Sequence, residues 1–430
     1  MAGISNRILQ MAGKAKPLLV KLLPLSLLRK IRSIMVDKNF QRLAATMLPY
    51  ESGHYEKGVN LIGNIRLEAG LGQSCRLVAS ALERTEIPFG IYQYAPSGAD
   101  HNGDHTWDEH IRTTLPYNVN LIHINPLELG TAYCQIDRQT WDYRYHIAFW
   151  LWELEDFPEE WTKYFTCLNE IWAPSEFTCN AIRKKTSLPV KCMPYYLEAD
   201  IRKEYTREDF KLPEGKFLFL MMYDSYSCAE RKNPAAVMYA YQKAFGKTNM
   251  QTGLVIKINH ATKEDEARIQ NEMDGYPNVY LIRDLLDRNA VNNLIRCVDV
   301  IVSLHRTEGF GLVLAEAMLL GTPVIATNWS ANTEFMNKET ACMVDYRLCT
   351  LEQELPPFHA GSRWADPDIR QAAAYMKKLY EDRAYYQKIS SAAKAHIRQT
   401  LSIERASARM KERLEEIYRE LENDEKDSDH

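Results

Sequence analysis

The sequence predicts an α/β protein with two doubly wound halves, each built on a parallel β-sheet flanked by helices. The chain has 430 residues, which is the length of two or three ordinary domains. Apolar, β-branched runs alternate with helical patterns from about residue 58 onward, and this rhythm is typical of βαβ units. A charged, irregular stretch near 200–212 divides the runs into two series, so we expect a linker there.

Strand candidates are bounded by turn residues and are rich in Val, Ile, Phe and Tyr. The first series is GVNLIGNI, IPFGIYQY, NVNLIHIN, YHIAFWLW and EIWAPS. The second series is KFLFLMMY, GLVIKIN, NVYLIRD, VDVIVSL, TPVIAT and ACMVDY. Residues from about 366 to 424 have a wholly helical pattern. We therefore divide the chain into an amino-terminal segment (1-36), a first domain (37-205), a second domain (206-395) and a carboxy-terminal helix with an acidic tail (396-430).

The amino end is basic, whereas the rest of the chain is acidic. Residues 1–36 contain seven basic and no acidic side chains, which leaves 46 basic and 57 acidic groups in the remainder. An acidic body makes nucleic acid an unsuitable partner. Within residues 17-36, apolar side chains recur at helical spacing between basic ones, a pattern that suits the surface of an anionic membrane. The alternative is a helix that packs on its own domain.

The composition indicates a cytoplasmic protein that could lie peripherally on the inner face of the cell membrane. No run of 18 uncharged apolar residues is present, so a conventional membrane-spanning helix is excluded. The nine cysteines form no CxxC pair and no zinc-ligand spacing, which predicts reduced, buried thiols. The segment DHNGDHTWDEH (100–110) matches no defined metal site, and a polar loop is expected there. We expect neither a metal nor a cofactor.

The segment 303–327, SLHRTEGFGLVLAEAMLLGTPVIAT, carries the sharpest chemical signal. A helix is predicted from about Leu312 to Leu320, with Gly321 as its terminator. Every residue of this helix except Glu316 is apolar or small. Burying a carboxylate unpaired would cost several kcal/mol. Glu316 must therefore meet a partner, in either the protein or a ligand.

Glu308 lies just before this helix, next to Gly309, Phe310 and Gly311. Glycines allow close backbone approach, and the start of a helix offers free N–H groups to an anion. Two carboxylates that accept hydrogen bonds from hydroxyls, beside backbone amides that donate hydrogen bonds to phosphate, would suit a sugar nucleotide. The alternative is a strand-to-helix turn whose carboxylate is satisfied by local backbone.

A basic pair precedes a second helix start. Asn233 is a good helix cap and Pro234 fits the first helical position, so Arg231 and Lys232 stand directly ahead of a helix amino terminus. Two cations and a positive dipole end attract a diphosphate. A solvated surface pair is the alternative, and the neighbouring cap favours the anion site.

Two further segments are weaker signals. Gly70 and Gly72 precede a helix and suggest a glycine loop that gives space to a phosphate, but the third glycine of a dinucleotide motif is missing. Glu153 and Glu155 follow a strand in an aromatic setting, where carboxyls can serve as acid or base. An ordinary strand end whose acids face water is the alternative.

Together these segments resemble the retaining glycosyltransferases of the GT-B fold, in glycosyltransferase family 4 (glycosyl transferases group 1). Glu308 and Glu316, with seven residues between them, match the paired-glutamate motif of that family. The RKNP segment, 231–234, matches its diphosphate-binding basic pair. GLGQSCRLVASAL resembles the glycine loop of the amino domain, and IWAPSEF resembles the serine-containing turn near the end of that domain. The similarity spans about residues 58 to 395.

The resemblance implies two Rossmann-like domains that face each other across a cleft, with a carboxy-terminal helix crossing back. Residues 37-205 would be the acceptor domain and 206-395 the donor domain. Many members have a histidine at the cleft edge of the amino domain, where this chain has Trp-Glu-Leu-Glu, and we hypothesise that Glu153 occupies that position. The implied catalytic residues are Glu308, Arg231, Lys232 and Glu153, and the implied donor-binding residues are Gly72, Arg231, Lys232, Glu308, Gly309, Phe310, Gly311 and Glu316.

The implied roles follow the chemistry of each group. Glu308 would bind hydroxyls of the donor sugar, and Glu316 would bind the ribose. Arg231 and Lys232 would neutralise the departing diphosphate, and Gly72 would make room for the donor phosphates. The expected activity is transfer of a hexosyl group from a GDP- or UDP-linked sugar to a glycan or lipid-linked acceptor. The alternatives are a sugar-nucleotide epimerase or glycan phosphorylase on the same fold, or a non-catalytic scaffold for glycan assembly.

Overall fold

The computed structural model describes residues 25–95, 102–199 and 201–428. Its first domain contains a six-stranded sheet in which every pair of neighbouring strands is parallel. The strand order is β2-β1-β3-β4-β5-β6. The strands are β1 (Glu56–Gly63), β2 (Phe89–Gln93), β3 (Tyr117–His123), β4 (Tyr145–Phe149), β5 (Glu170–Ala173) and β6 (Val190–Cys192).

A second six-stranded parallel sheet forms the core of the second domain, in the order β12-β11-β10-β7-β8-β9. Helices cover both sheets, which explains why their central strands are apolar along nearly their whole length. The predicted α/β class with two parallel sheets is confirmed. The strands are β7 (Phe217–Asp224), β8 (Thr252–Asn259), β9 (Val279–Ile282), β10 (Val300–Ser303), β11 (Val324–Thr327) and β12 (Cys342–Val344).

The α-helices of the described residues fall into a first group before β7 and a second group after it. The first group is α1 (Leu25–Ala44), α2 (Gly70–Glu83), α3 (Pro126–Gln135) and α4 (Glu176–Arg183). The second group is α5 (Ala229–Lys232), α6 (Pro234–Ala244), α7 (Lys263–Glu272), α8 (Arg288–Cys297), α9 (Leu312–Leu320), α10 (Ile369–Glu381), α11 (Arg383–Thr400) and α12 (Ile403–Ser428).

The chain passes from the first sheet to the second between Cys192 and Phe217, and none of the described residues between them belongs to a strand. The boundary near residue 205 lies within this connection and stays a prediction. The long helix α12 then returns to the first domain, as predicted. Its Arg413 is paired with the buried Glu170 of β5 (Nη2 to Oε2, 2.7 Å), and its Tyr418 hydroxyl donates to the Gly58 carbonyl at 3.0 Å.

A β-hairpin after β12 was not predicted. It consists of β13 (Tyr346–Thr350) and β14 (Arg363–Pro367), which pair antiparallel. The prediction of a wholly helical segment from about 366 was wrong at its start, because helix begins only at Ile369, where the Asp368 carboxylate accepts the first N–H bonds. The hairpin reaches the first domain, since the ring of its Phe358 lies 5.5 Å from that of Trp152.

Helix α1 has two apolar faces with different surroundings. In its second half, Val36 and Phe40 are buried on the first domain, and the Cys134 thiol of α3 lies 3.8 Å from the Val36 carbonyl. In its first half, Leu27, Ile31 and Ile34 are between 42% and 47% exposed. The helix therefore packs on its own domain and still presents an apolar surface. Residues 17–24 of the predicted membrane segment lie outside the described residues.

Within the described residues, no helix is long and apolar enough to cross a membrane. The nine cysteines are free thiols, and six of them are buried. No group of His, Cys, Asp and Glu side chains in the described part of the chain could hold a metal ion. In the polar loop predicted at 100–110, of which residues 100 and 101 lie outside the described residues, the Asp108 carboxylate binds Arg66 at 2.8 Å.

Candidate active site

The loop between β10 and α9 lies at the carboxyl edge of the second sheet and faces the first domain. Its Glu308 is 9% exposed and forms two ion pairs. Arg231 Nη1 lies 3.1 Å from Glu308 Oε2, and Lys232 Nζ lies 2.5 Å from Glu308 Oε1. The two segments singled out in the sequence therefore meet, because β7 and β10 are neighbours in the sheet.

The charges of this cluster fix the protonation state of Glu308. Burial by itself would raise the pKa of the Glu308 carboxyl, but the positive charges of Lys232 and Arg231 outweigh burial and lower that pKa to about 2. Burial lowers the pKa of Lys232, and the charge of Glu308 opposes that shift. At neutral pH the Glu308 carboxylate is therefore ionised and can only accept hydrogen bonds.

The basic pair lies at a tight turn between two helices. Arg231 and Lys232 end the short helix α5, and Asn233 adopts a left-handed conformation with φ 54° before α6 begins at Pro234. The predicted helix start is confirmed, but Asn233 does not cap α6 with its side chain. Instead its amide Nδ2 donates to the Leu304 carbonyl at 3.0 Å, which ties the turn to the loop that carries Glu308.

The first domain contributes Glu153 to the same cluster. Glu153 Oε1 lies 3.9 Å from Arg231 Nη2. The Thr307 hydroxyl of the second domain donates to the Glu153 carbonyl of the first domain. This hydrogen bond links the two loops directly. Glu155 lies further along the same segment and pairs with Arg363 of the hairpin at 3.1 Å. Of the two predicted carboxylates, Glu153 is therefore the one beside the basic pair.

At Gly309 the backbones of the two domains lie close together. A Cβ atom at this position would lie 2.8 Å from the Trp152 carbonyl oxygen. The Gly309 carbonyl accepts a hydrogen bond from the Ser175 hydroxyl at 2.8 Å, and Ser175 caps α4. The serine-containing turn predicted from the sequence thus contacts the loop of Glu308 directly.

Gly309→Ala is expected to lower the melting temperature by several degrees, because overpacking of a tight contact costs about 1–3 kcal/mol. Gly70→Ala is the matched control, since nothing lies within 4 Å of a Cβ atom there. The melting temperatures of both variants would be compared by circular dichroism. Equal melting temperatures would contradict this close packing of the two domains.

Phe310 and Gly311 complete the loop before α9. Phe310 is buried, and its ring packs edge to face on Tyr195 with ring centroids 4.9 Å apart. Gly311 has φ 96° at the amino end of α9, a conformation that favours glycine. The aromatic side chain therefore anchors the loop between the domains.

Glu316 lies on α9 and is 2% exposed, as its apolar neighbours predicted. Its carboxylate Oε1 contacts the Arg288 guanidinium at the first residue of α8. Arg288 also lines a cavity of about 740 Å³ between the domains, together with Arg76 of α2. The partner that Glu316 requires is thus at least in part a protein side chain.

The need for glycine at position 72 is explained by a neighbouring loop. A Cβ atom there would lie 1.9 Å from the Leu67 carbonyl oxygen, so the loop between β1 and α2 fills the space that the glycine leaves. This contact accounts for the glycine without a ligand. A role for Gly72 toward donor phosphates stays a prediction.

Three residues of this region were missed by sequence reasoning. The Ser330 hydroxyl accepts the Glu308 N–H at 2.8 Å, and Ser330 has φ 74°, a strained conformation for serine. The Thr307 and Arg288 side chains contact partners far away in the sequence. No local pattern identifies such contacts, because each depends on a partner that is distant in the sequence.

Comparisons with known proteins give one family match and several structures of similar fold. Residues 243–350 match the family Glycosyl transferases group 1. No curated protein matches the chain.

Three solved structures of similar architecture have low sequence identity. A glycosyltransferase from Rickettsia africae is 14% identical with a TM-score of 0.61, and the match covers 85% of this chain and 99% of that one. Sucrose-phosphate synthase from Thermosynechococcus elongatus is 16% identical with a TM-score of 0.61 over the same shares, 85% and 99%. Anabaena HepE in complex with UDP and glucose is 13% identical with a TM-score of 0.57, covering 84% and 100%. The chain therefore has the GT-B fold, and its residues 243–350 are similar to Glycosyl transferases group 1.

Proposed function

We propose that the protein is a retaining glycosyltransferase that moves a hexosyl group from a GDP- or UDP-linked sugar to a glycan or lipid-linked saccharide. The family match at residues 243–350 and the GT-B fold support a nucleotide-sugar enzyme. One structure of this fold is a complex with UDP and glucose, and another is a sucrose-phosphate synthase. Retention and family 4 membership rest on the resemblance of the paired glutamates, Glu308 and Glu316.

The observation that carries the proposal is the buried cluster of Glu308, Arg231 and Lys232 between the domains. Two cations face one carboxylate, so the three groups carry one net positive charge. A diphosphate that departs with negative charge would be stabilised by these cations and by the positive end of α6. Glu308, ionised at neutral pH, would accept hydrogen bonds from hydroxyls of the hexose.

The remaining roles are assigned by chemistry. Glu316 would bind the ribose hydroxyls, and the backbone of Gly309, Phe310 and Gly311 would approach the sugar and its phosphate. Glu153, from the first domain, lies 3.9 Å from Arg231 and is our candidate for receiving the proton of the acceptor hydroxyl. No metal or cofactor has a role in this scheme.

Binding of a nucleotide sugar is the first test. A ligand that binds only the native state at 100 times its Kd stabilises the fold by about 2.7 kcal/mol, so one or more UDP- or GDP-sugars should raise the melting temperature. Glu316→Ala should abolish that increase, whereas Glu412→Ala on α12 should keep it. If no nucleotide sugar changes the melting temperature of the wild type, a non-catalytic scaffold becomes the better explanation. If a sugar binds, product analysis separates a transferase from an epimerase or phosphorylase.

A lipid-linked acceptor would bring the enzyme to the cytoplasmic face of a membrane. The exposed side chains Leu27, Ile31 and Ile34 lie at helical spacing on α1, and the basic Lys30 and Arg32 lie between them. Apolar side chains flanked by cations are the composition that binds an anionic bilayer surface. We therefore propose that this half of α1 contacts the membrane.

Replacing Leu27, Ile31 and Ile34 together by serine is expected to release the protein from liposomes of equal parts phosphatidylglycerol and phosphatidylcholine. Substitution is preferable to deletion of residues 1–36, because Val36 is buried on the first domain. Sedimentation would measure binding, and the nucleotide-sugar melting shift should be unchanged. If the wild type never sediments with these liposomes, α1 serves only packing.

A further inference from the structure

The buried carboxylate of Glu316 has a charged partner that no motif identified. Glu316 is surrounded on α9 by Ala315, Ala317 and Met318, each of which has no exposed surface. Its Oε1 forms an ion pair with Arg288. Its Oε2 is buried and has no hydrogen-bond partner among the described residues. Half of the accepting capacity of this carboxylate is therefore unused by the part of the protein that the structure describes.

Arg288 is held at the wall of the cavity between the domains. It is the first residue of α8, and the carboxylate of the preceding Asp287 caps that helix by accepting the Ala290 N–H at 2.7 Å. Burial and the like charge of Arg76 lower the pKa of Arg288 to about 9, so the guanidinium still carries its charge at neutral pH. Arg76 is itself fixed from the first domain, since it donates to the Ile65 carbonyl at 2.8 Å.

We propose that Arg288 is a positioning residue for nucleotide binding, which keeps Glu316 ionised and directs its Oε2 toward the ribose hydroxyls of the donor. This inference rests on the proposed function, which assigns the ribose to Glu316. Without a counter-charge, a carboxylate in so apolar a setting would favour its neutral form. A protonated Glu316 would turn one oxygen into a donor and would accept hydrogen bonds from ribose hydroxyls more weakly than the carboxylate does.

The hydrogen-bonding groups left at this pair suit a hydroxyl in particular. The Nε–H of Arg288 is buried and, like Oε2 of Glu316, has no hydrogen-bond partner in the described part of the chain. A hydroxyl group both donates and accepts, so it can donate to Oε2 and accept from Nε. The two hydroxyls of a ribose supply this combination, whereas a 2′,3′-dideoxyribose supplies neither.

The test measures calorimetric Kd values for UDP, GDP and their 2′,3′-dideoxy forms. The variants are Arg288→Met, Arg288→Lys and the control Arg296→Met, which removes the same charge from the exposed end of α8, where Arg296 pairs with Glu204 at 2.9 Å. Arg288→Met should weaken binding of the preferred ribonucleotide at least tenfold and binding of its dideoxy form less than threefold. Arg288→Lys should recover part of the loss, and Arg296→Met should bind like the wild type.

The outcomes separate this inference from the proposed function. If the wild type prefers the ribonucleotide but Arg288→Met keeps the full preference, Arg288 does not position Glu316. Equal loss for both nucleotide forms would also overturn the inference, because it indicates a general effect on charge or folding. If the wild type binds ribo and dideoxy forms equally, or binds neither, the ribose assignment of Glu316 fails first, and the inference fails with it.

Discussion

Replacing Lys232 by methionine is expected to lower kcat by about 10²–10³-fold, the cost of removing one preorganised group that stabilises charge in a transition state. The Lys232 ammonium lies in the cleft with Glu308 as its ion partner, and methionine keeps the length of the side chain without its charge. Arg231 still pairs with Glu308 in this variant, so the buried carboxylate keeps one counter-charge. The variant should therefore fold like the wild type, but the departing diphosphate is stabilised by one positive charge fewer.

The measurement is release of nucleoside diphosphate from whichever nucleotide sugar stabilises the wild type. Lys338→Met removes an exposed lysine of the same domain and should leave kcat unchanged. Arg231→Met should cost at least as much as Lys232→Met, because Arg231 also faces Glu153. Turnover of Lys232→Met within threefold of the wild type would exclude this residue from leaving-group stabilisation.

Replacing Arg413 by methionine is expected to lower the free energy of unfolding by about 3–5 kcal/mol, because it leaves a buried charge without its partner. The Glu170 carboxylate has no exposed surface and accepts hydrogen bonds from three side chains: Arg413 (Nη2 at 2.7 Å), the Trp172 indole at 2.8 Å and the Tyr145 hydroxyl at 3.3 Å. Only Arg413 carries a positive charge. Arg413 also links α12 to the first domain, together with Tyr418, so its replacement removes one of these links.

Urea unfolding followed by tryptophan fluorescence would measure this loss. The double variant Arg413→Met with Glu170→Gln should recover part of the stability, because glutamine removes the buried charge and still accepts from Trp172. Arg409→Met, an exposed arginine of the same helix, should change the free energy by less than about 0.5 kcal/mol. A single variant as stable as the wild type would mean that the ion pair of Arg413 with Glu170 contributes no net stability to the fold.

Much of the fold could be predicted because the central strands of a parallel sheet are apolar along their length. Helix α9 was placed correctly from Leu312 to Leu320, since its apolar run ends at a glycine. The hairpin β13–β14 was not predicted. Its first strand contains no buried residue, so it lacks the apolar run of a buried strand. Its pairing depends on a partner 13 or more residues away.

The part of the candidate site that could be predicted consists of residues that follow neighbouring strands of the sheet. Glu308 and the basic pair follow β10 and β7, and neighbouring parallel strands bring such residues together. Arg288 could not be predicted as the partner of Glu316, because it lies at the start of another helix and nothing in its local sequence indicates that contact. The reason for glycine at position 72 was likewise hidden, since it depends on the path of the loop at Leu67.

The most direct test of the central claim is a nuclear magnetic resonance time course of the wild type with the nucleotide sugar that stabilises it most. We predict that nucleoside diphosphate is released and that the first hexose product keeps the anomeric configuration of the donor. Glu316→Ala and Lys232→Ala should both suppress that signal. Unchanged turnover in both variants, or a first product of inverted configuration, would contradict a retaining hexosyl transfer at this site.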